Sequence, residues 1–251
     1  MVHFVGAGSG AADLITVRGQ RLLQEADVVI YAGSLVNPAL LEYTKTGCRI
    51  FDSARMTLDE VIAEIDKAEK EGLTTVRLHT GDPAIYGAIR EQMDRLDEMK
   101  VGYDCCPGVS SAFGAAASLK AEYTLPDVSQ SIILTRMAGR TGVPERESIS
   151  SFAAHHATMV IFLSTGMLEQ LSAELIKGGY EPETPAALVY KATWPDEKVM
   201  RCTVATLAET AKANGITKTA LTIVGNCLGD TYSLSRLYAD DFSTEFREAK
   251  K

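Results

Sequence analysis

The amino-terminal stretch MVHFVGAGSGAADLITVRG, residues 1–19, joins an apolar run, a glycine loop and a helix start in that order. The β-branched and aromatic residues 2–5 predict a buried strand, and the glycines after them predict a tight turn. Thr16 has a side chain that caps helix N-termini, so we expect the helix to begin directly after it. Strand, loop and helix in succession are the repeating unit of an α/β sheet.

The glycine loop GAGSGA, residues 6–11, formally satisfies the G-x-G-x-x-G/A pattern of dinucleotide-binding turns. That fold needs the helix to start inside the turn and an acidic residue at the end of the second strand. Here residues 11–15 separate the loop from the expected helix, and the second apolar run ends in Tyr31, Ala32 and Gly33. We therefore interpret the loop as part of the ligand-binding edge of an α/β sheet. An NAD-dependent oxidoreductase stays as a competing hypothesis.

The same alternation continues along the chain and predicts an α/β fold with two lobes. The polar stretch KAEYTLPD, which contains a proline, predicts a boundary between a first lobe at 1–120 and a second at 121–251. In the first lobe we expect a mostly parallel sheet, and in the second, where strands follow one another closely, a mixed sheet. Expected strands lie at 2–5, 27–31, 48–51, 74–79, 103–106, 131–136, 158–164, 186–190, 199–204 and 219–225, and helices at 56–72, 110–119, 148–154, 167–177 and 206–213.

The composition narrows the possible partners. A formal charge of -8 lacks the basic surface with which proteins attract nucleic acid or anionic membranes. No apolar run approaches the length of a bilayer span, and we expect a cytoplasmic protein. The five cysteines are odd in number and form no C-x-x-C motif, so neither a disulfide framework nor a metal site is predicted.

A second glycine loop lies in RLHTGDPAIYGA, residues 77–88. It offers backbone polar groups without lysine or arginine, which suits a polar ligand other than a phosphate, and Ile85 and Tyr86 supply apolar walls that fit a purine. The competing interpretation is a capped helix start, with Asp82 as the cap and Pro83 in the first turn. A third small-residue segment, CPGVSSAFGAAAS at 106–118, would let a ligand or another backbone approach closely.

Taken in order, the motifs GAGSGAADLITVRG, HTGDPAIYGA, PGVSSAFGAAAS, VIFLSTG, AALVYKATWPDEKV and TALTIVG resemble those of the tetrapyrrole (corrin and porphyrin) methyltransferase family. Within it, YAGSLVNPALL, DSARMTLDE and SRLYADDFSTEFR are similar to the enzymes that methylate carbon 11 of a corrin precursor in cobalamin biosynthesis. The resemblance implies S-adenosylmethionine as methyl donor, bound between two lobes and released as S-adenosylhomocysteine. It also implies a small-molecule tetrapyrrole as acceptor and a homodimer. Methylation at another ring position, and a non-catalytic sensor, stay as alternatives.

By motif position, the resemblance implies which residues form the two binding sites. The first glycine loop, with Gly8 and Ser9, would border the macrocycle. The donor would be held by Thr80, Gly81, Asp82, Ile85, Tyr86, Ser110, Ser111, Leu163, Ala192, Thr219, Ala220 and Leu221.

Methyl transfer from a sulfonium mainly requires alignment and exclusion of water. Holding two reactants at near-attack distance supplies roughly 7–11 kcal/mol, so neither a covalent residue nor a metal is needed. No catalytic residue is assigned, and His79, His155 and His156 are the candidates if a proton must leave the acceptor.

The acceptor is rich in carboxylates while the chain is acidic, so its recognition needs a local basic cluster. We expect Arg18, Arg136 and Arg140 to contribute, although each is also compatible with a solvated surface arginine.

Overall fold

The computed structural model describes residues 1–250 and contains two five-stranded sheets. The chain divides into two compact units. Unit 1 comprises Met1–Ala115 together with Ala192–Asp196, and unit 2 comprises Ala116–Lys191 and Glu197–Lys251. Unit 1 therefore includes a short segment from the second half of the chain. The boundary expected at residue 120 stays a prediction of how the chain divides into independently folding domains.

Unit 1 is built on a parallel sheet in the order β3-β2-β4-β1-β5. Its strands are β1 (Val2–Gly6), β2 (Val28–Tyr31), β3 (Arg49–Asp52), β4 (Thr75–His79) and β5 (Tyr103–Cys106), and its helices are α1 (Val17–Glu25), α2 (Leu58–Lys70) and α3 (Arg90–Met99). The helix α4 (Ser111–Leu119) begins in this unit. Every strand pairing here is parallel, as expected from the alternating pattern.

Local sequence signals account for the helix starts in unit 1. The hydroxyl of Thr16 accepts a hydrogen bond from the Gly19 amide at 3.0 Å, which confirms the expected cap of α1. Thr57 and Glu60 form a reciprocal capping box at the start of α2. The alternative helix start at Asp82 is wrong: residues 83–86 form a turn, and α3 begins only at Arg90.

Unit 2 contains a mixed sheet in the order β6-β7-β10-β8-β9. Its strands are β6 (Ile132–Arg136), β7 (Thr158–Phe162), β8 (Pro185–Tyr190), β9 (Lys198–Thr203) and β10 (Ala220–Val224), and its helices are α5 (Ile149–Ala153), α6 (Leu168–Lys177) and α7 (Leu207–Ala213). Only β6 and β7 pair in parallel. Met159, Ile161 and Leu188 of the sheet pack with Leu171 and Leu175 of α6 in the core. The predicted α/β class, with one parallel and one mixed sheet, is confirmed.

All five cysteines carry free thiols, and two of them, Cys106 and Cys227, are buried. Within residues 1–250, no helix has the length and apolar character needed to cross a membrane.

Candidate functional site

In unit 1, three loops are neighbours at the carboxyl edge of the sheet, where α/β proteins bind ligands. In chain order, the first loop follows β1, the second follows β4 and the third follows β5. The first two loops are joined by backbone hydrogen bonds between Gly8 and Gly81, at 3.3 Å from the Gly8 amide and 3.0 Å from the Gly81 amide. Gly8 and Gly81 have φ of 81° and 61°, a region that glycine adopts without strain.

Three glycines bring these loops into close contact. A Cβ atom added to Gly6 would lie 2.5 Å from the α-carbon of Gly108 and 2.6 Å from the carbonyl oxygen of Gly81. A Cβ on Gly108 would overlap that same carbonyl oxygen. The backbones therefore meet at a distance that no other residue type permits, and the loop edge is closely packed.

Asp82 ties the second loop to the third. Its Oδ2 accepts a hydrogen bond from the Gly108 amide at 2.9 Å, and its Oδ1 accepts one from the Ala84 amide at 2.8 Å. Both carboxylate oxygens thus hold backbone amides within the loops. The geometry makes Asp82 a positioning residue for the backbone of this edge.

Two buried polar atoms at the end of β4 have no hydrogen-bond partner within the described part of the chain, namely Nε2 of His79 and Oγ1 of Thr80. Burial, assisted by the charge of Arg77, lowers the pKa of His79 to about 3, so the imidazole is neutral at neutral pH. Unpaired buried polar groups are rare in folded proteins, so these two atoms are candidate contacts for a ligand.

A buried arginine supports the turn after the second loop. The Arg77 guanidinium donates to Oε1 of Gln92 at 2.7 Å and to the Ile30 carbonyl at 2.6 Å, and Gln92 donates to the Ala88 carbonyl at 3.0 Å. Burial lowers the pKa of Arg77 only to about 10, so it stays charged. The turn that it supports contains Tyr86 and Ala88 with φ of 56° and 49°.

The remaining residues expected at the donor and macrocycle sites of unit 1 differ in exposure. Ser110 is buried and its hydroxyl accepts from the Ala112 amide, whereas the Tyr86 side chain is exposed. Ile85 and Ser111 are half-buried, and Ala192 is buried. Ser9 is buried and bonded to Thr193, while Arg18 is exposed on α1.

In unit 2, a second group of expected residues lies at one edge of the mixed sheet. Both β7 and β8 pair antiparallel with β10, so their carboxyl ends and the start of β10 share this edge. Leu163, Lys191 and Thr219 lie there, and the Lys191 amide donates to the Thr219 carbonyl at 3.1 Å. Ala220 and Leu221 follow as buried residues of β10.

Three residues at this edge have a left-handed backbone. Leu163, Lys191 and Thr219 have φ of 53°, 46° and 59°, and a bulky or β-branched residue rarely adopts such values. Leu163 is also 65% exposed, although it is a large apolar residue. Strained backbone of this kind clusters at ligand-binding sites, where the surrounding structure holds it in place.

The arginine loop after β6 lies at the same edge, because Arg136 pairs with Phe162 at the end of β7. The Arg136 guanidinium donates to the carbonyls of Met137, Thr141 and Gly142 at 3.1, 3.3 and 2.8 Å, so it organises its own loop. Arg140 is exposed at the tip of this loop.

The three candidate histidines lie at different sheet edges. His155 and His156 precede β7 and so lie at the opposite edge of the sheet from Leu163. His79 alone ends a strand at a candidate edge. Within residues 1–250, no group of three or more histidine, cysteine or acidic side chains is arranged to hold a metal ion.

A family model described as Tetrapyrrole (Corrin/Porphyrin) Methylases matches residues 1–208. The chain is a tetrapyrrole methylase. The family expected from the motifs is thereby confirmed, and α1 starting at Val17, well beyond the glycines, gives no support to the dinucleotide interpretation.

This tetrapyrrole methylase is similar to curated relatives over its full length. It is 51% identical to the cobalt-precorrin-4 C(11)-methyltransferase of Methanocaldococcus jannaschii, covering 100% of this chain and 97% of the relative. It is 44% identical to the enzyme of that name from Priestia megaterium, covering 100% and 98%.

Solved structures of methyltransferases have the same fold. A cobalt-precorrin-4 methyltransferase of cobalamin biosynthesis, CbiF, has a TM-score of 0.89 at 46% identity, covering 91% of this chain and 96% of that chain. The uroporphyrin-III C-methyltransferase of Thermus thermophilus complexed with S-adenosylhomocysteine has a TM-score of 0.74 at 26% identity, covering 91% and 93%.

Several residues that shape the loops of the methylase were not singled out from the sequence. Gly6 and Gly108 are required by close backbone contact, and Thr193 and Trp194 pack against the first glycine loop. The glycines were visible as turn signals, but their contact joins residues far apart in sequence. Thr193 and Trp194 lie within the motif AALVYKATWPDEKV, but the motif assigned them no role, because their partners in unit 1 lie in the first half of the chain.

Proposed function

We propose that this tetrapyrrole methylase transfers a methyl group from S-adenosylmethionine to carbon 11 of precorrin-4 or cobalt-precorrin-4 in cobalamin biosynthesis. The observation that carries the proposal is the full-length similarity to relatives with this activity, at 51% and 44% identity with the whole chain covered. The similarity includes both candidate edges and the carboxyl-terminal tail.

The residues present fit the donor chemically. Thr80 offers a buried hydroxyl with no hydrogen-bond partner among residues 1–250, and the exposed Leu163 is an apolar side chain held in a strained conformation. S-adenosylmethionine would supply a methyl group on a sulfonium, which is already activated for transfer. By motif position, the residues that would hold it are Thr80, Gly81, Asp82, Ile85, Tyr86, Ser110, Ser111, Leu163, Ala192, Thr219, Ala220 and Leu221.

The protein's own contribution would be orientation in a site shielded from water. Asp82 fixes the backbone of the second and third loops, so their amide and carbonyl groups are rigid when a ligand reaches them. The Arg77–Gln92–Ala88 chain fixes the turn that bears Tyr86. Such preorganisation lowers the barrier because little rearrangement is needed at the moment of transfer.

The acceptor would be recognised by the first glycine loop, with Gly8 and Ser9, and by Arg18, Arg136 and Arg140. Arg140 and Arg18 are both exposed, so each can bind a carboxylate, and Arg140 does so from the loop after β6. Arg136 would act mainly by shaping that loop. We further propose that the protein is cytoplasmic and forms a homodimer. Sedimentation equilibrium across a concentration series would test the oligomeric state.

The decisive experiment supplies the purified protein with donor labelled in the methyl group and a panel of precorrin-4, cobalt-precorrin-4 and uroporphyrinogen III. We expect incorporation into one or both of the first two, with the labelled carbon assigned to position 11 by NMR. Label at another carbon would keep the family and overturn the ring position. No incorporation, together with no calorimetric binding of S-adenosylhomocysteine, would overturn the proposal.

A further inference from the structure

The segment Ala192–Asp196 lies between two stretches of unit 2 in the sequence but packs as part of unit 1. It contacts the first glycine loop at three consecutive positions. Oγ1 of Thr193 accepts a hydrogen bond from the Ala11 amide at 3.0 Å and lies 3.1 Å from Oγ of Ser9. One hydroxyl therefore fixes both a backbone and a side-chain group of the loop.

Packing reinforces these hydrogen bonds. A Cβ on Gly10 would lie 2.6 Å from Nε1 of Trp194 and 2.6 Å from the Ala192 carbonyl oxygen, so the indole sits directly against the loop backbone. On the other side, a Cβ on Gly114 would lie 2.5 Å from the Cβ of Ser9. The loop is thus enclosed between the indole and helix α4, and glycine is required at both contacts.

The conformation of Thr193 shows that this contact is maintained against strain. Its φ is 67°, an outlier for a β-branched residue. Such a conformation persists only where the surroundings hold it, and it marks places where function depends on geometry. Pro195 additionally restricts the backbone of Trp194, because the residue before a proline is biased to extended conformations.

We propose that Thr193 and Trp194 are positioning residues for the acceptor site, acting by locking the first glycine loop in the conformation that receives the flat, carboxylate-rich macrocycle. This inference rests on the proposed function of the loop. Neither residue needs to touch the reacting atoms. The half-buried indole also forms part of the surface beside Gly10, where an extended conjugated ring can pack.

The test compares Thr193→Val with Thr193→Ser. Valine keeps the branched shape but removes both hydrogen bonds, whereas serine keeps the hydroxyl. We expect T193V to raise the KM for cobalt-precorrin-4 about tenfold, as the loss of about 1.4 kcal/mol would do, and to leave the Kd of S-adenosylhomocysteine within twofold. T193S should stay close to wild type for both ligands.

Trp194 is the single tryptophan of the chain, so its fluorescence reports the state of the loop without any ligand. T193V should make the indole of Trp194 more accessible to the quencher acrylamide, and T193S should not. If T193V does not fold, Ser9→Ala removes one of the two hydrogen bonds and should increase acrylamide quenching in the same direction. Only the fluorescence of S9A is compared, because Ser9 itself lies in the proposed acceptor site.

Three results would overturn the inference. The first is increased acrylamide quenching of Trp194 in T193V with an unchanged KM for the acceptor. The second is unchanged quenching in both T193V and S9A. The third is an equal loss of acceptor and S-adenosylhomocysteine affinity. A wild-type protein that methylates no tetrapyrrole would instead count against the proposed function.

Discussion

At the scale of the residue, His79 links burial to pH. Its pKa is about 3 in the folded protein and 6.5 when exposed, so the unfolded state binds more protons between these values. Stability contributed by the neutral imidazole is therefore present above pH 6.5 and lost as the pH falls towards 3, by up to about 1.4 kcal/mol per unit. Urea unfolding from pH 7.5 to 4.5 should show this loss, and His79→Phe should flatten it.

The exposed His155→Gln controls for the removal of a histidine as such. A His79→Phe variant with the same acid sensitivity as wild type would show that other groups dominate.

Leu163 presents a conflict between stability and binding. Its left-handed backbone costs roughly 1 kcal/mol relative to glycine, and its exposed side chain buries little apolar surface. We expect Leu163→Gly to unfold at an equal or higher temperature while weakening S-adenosylhomocysteine binding about threefold to tenfold. Leu163→Ala, which keeps the strain, should weaken binding without the gain in stability. Calorimetry and thermal unfolding measure both quantities, and a destabilised L163G with normal affinity would make Leu163 a structural residue.

At the scale of the element, the edge of the parallel sheet depends on glycines that have no room for a side chain. Gly108→Ala would place a methyl group against the Gly81 carbonyl oxygen. Because that neighbour is backbone, relief requires the strands to shift, and we expect a loss of about 2 kcal/mol or more in the free energy of unfolding, together with loss of S-adenosylhomocysteine binding.

Gly142→Ala is the matched control, since among residues 1–250 no atom beyond its two chain neighbours lies within 4 Å of a Cβ there. Its unfolding free energy should change by less than about 0.5 kcal/mol. Equal stability of the two variants would contradict the packing argument.

Elements that follow from local chemistry could be predicted, and those that depend on distant partners could not. The strands and the Thr16 cap come from residues close in sequence. The alternative helix start at Asp82 fails because its carboxylate is engaged by the Gly108 amide and because Tyr86 and Ala88 adopt left-handed conformations. The donor and acceptor residues carried over from the motifs stay predictions.

The same limit applies to the contact that Thr193 makes with the first glycine loop. It joins residues more than 180 positions apart, and no local pattern encodes it. By contrast, strand order and strand direction explain why the three loops of unit 1 lie at the carboxyl edge of its sheet. They also explain why Leu163 and Thr219 share one edge of the sheet in unit 2.

At the scale of the whole molecule, charge sets a constraint on the proposed reaction. A chain of net charge -8 repels an acceptor that carries many carboxylates, so local cations must overcome this field. Arg140 is suited to this role because it is exposed, whereas Arg136 is engaged with three carbonyls of its own loop. Arg136→Ala would therefore disturb the loop as well as remove a charge.

Arg140→Ala should raise the KM for the acceptor about fivefold at low ionic strength and leave the Kd of S-adenosylhomocysteine unchanged, because the loss is one local attraction in a screened field. The kcat/KM of the wild type should fall as salt is added, and that of R140A should fall less, because less attraction is left to screen. Arg95→Ala is the matched control, since that arginine is paired with Asp59 at 2.8 Å. An equal salt dependence in R140A and wild type would remove Arg140 from acceptor recognition. A kcat/KM that rises with salt in the wild type would show that the overall negative charge outweighs every local cation.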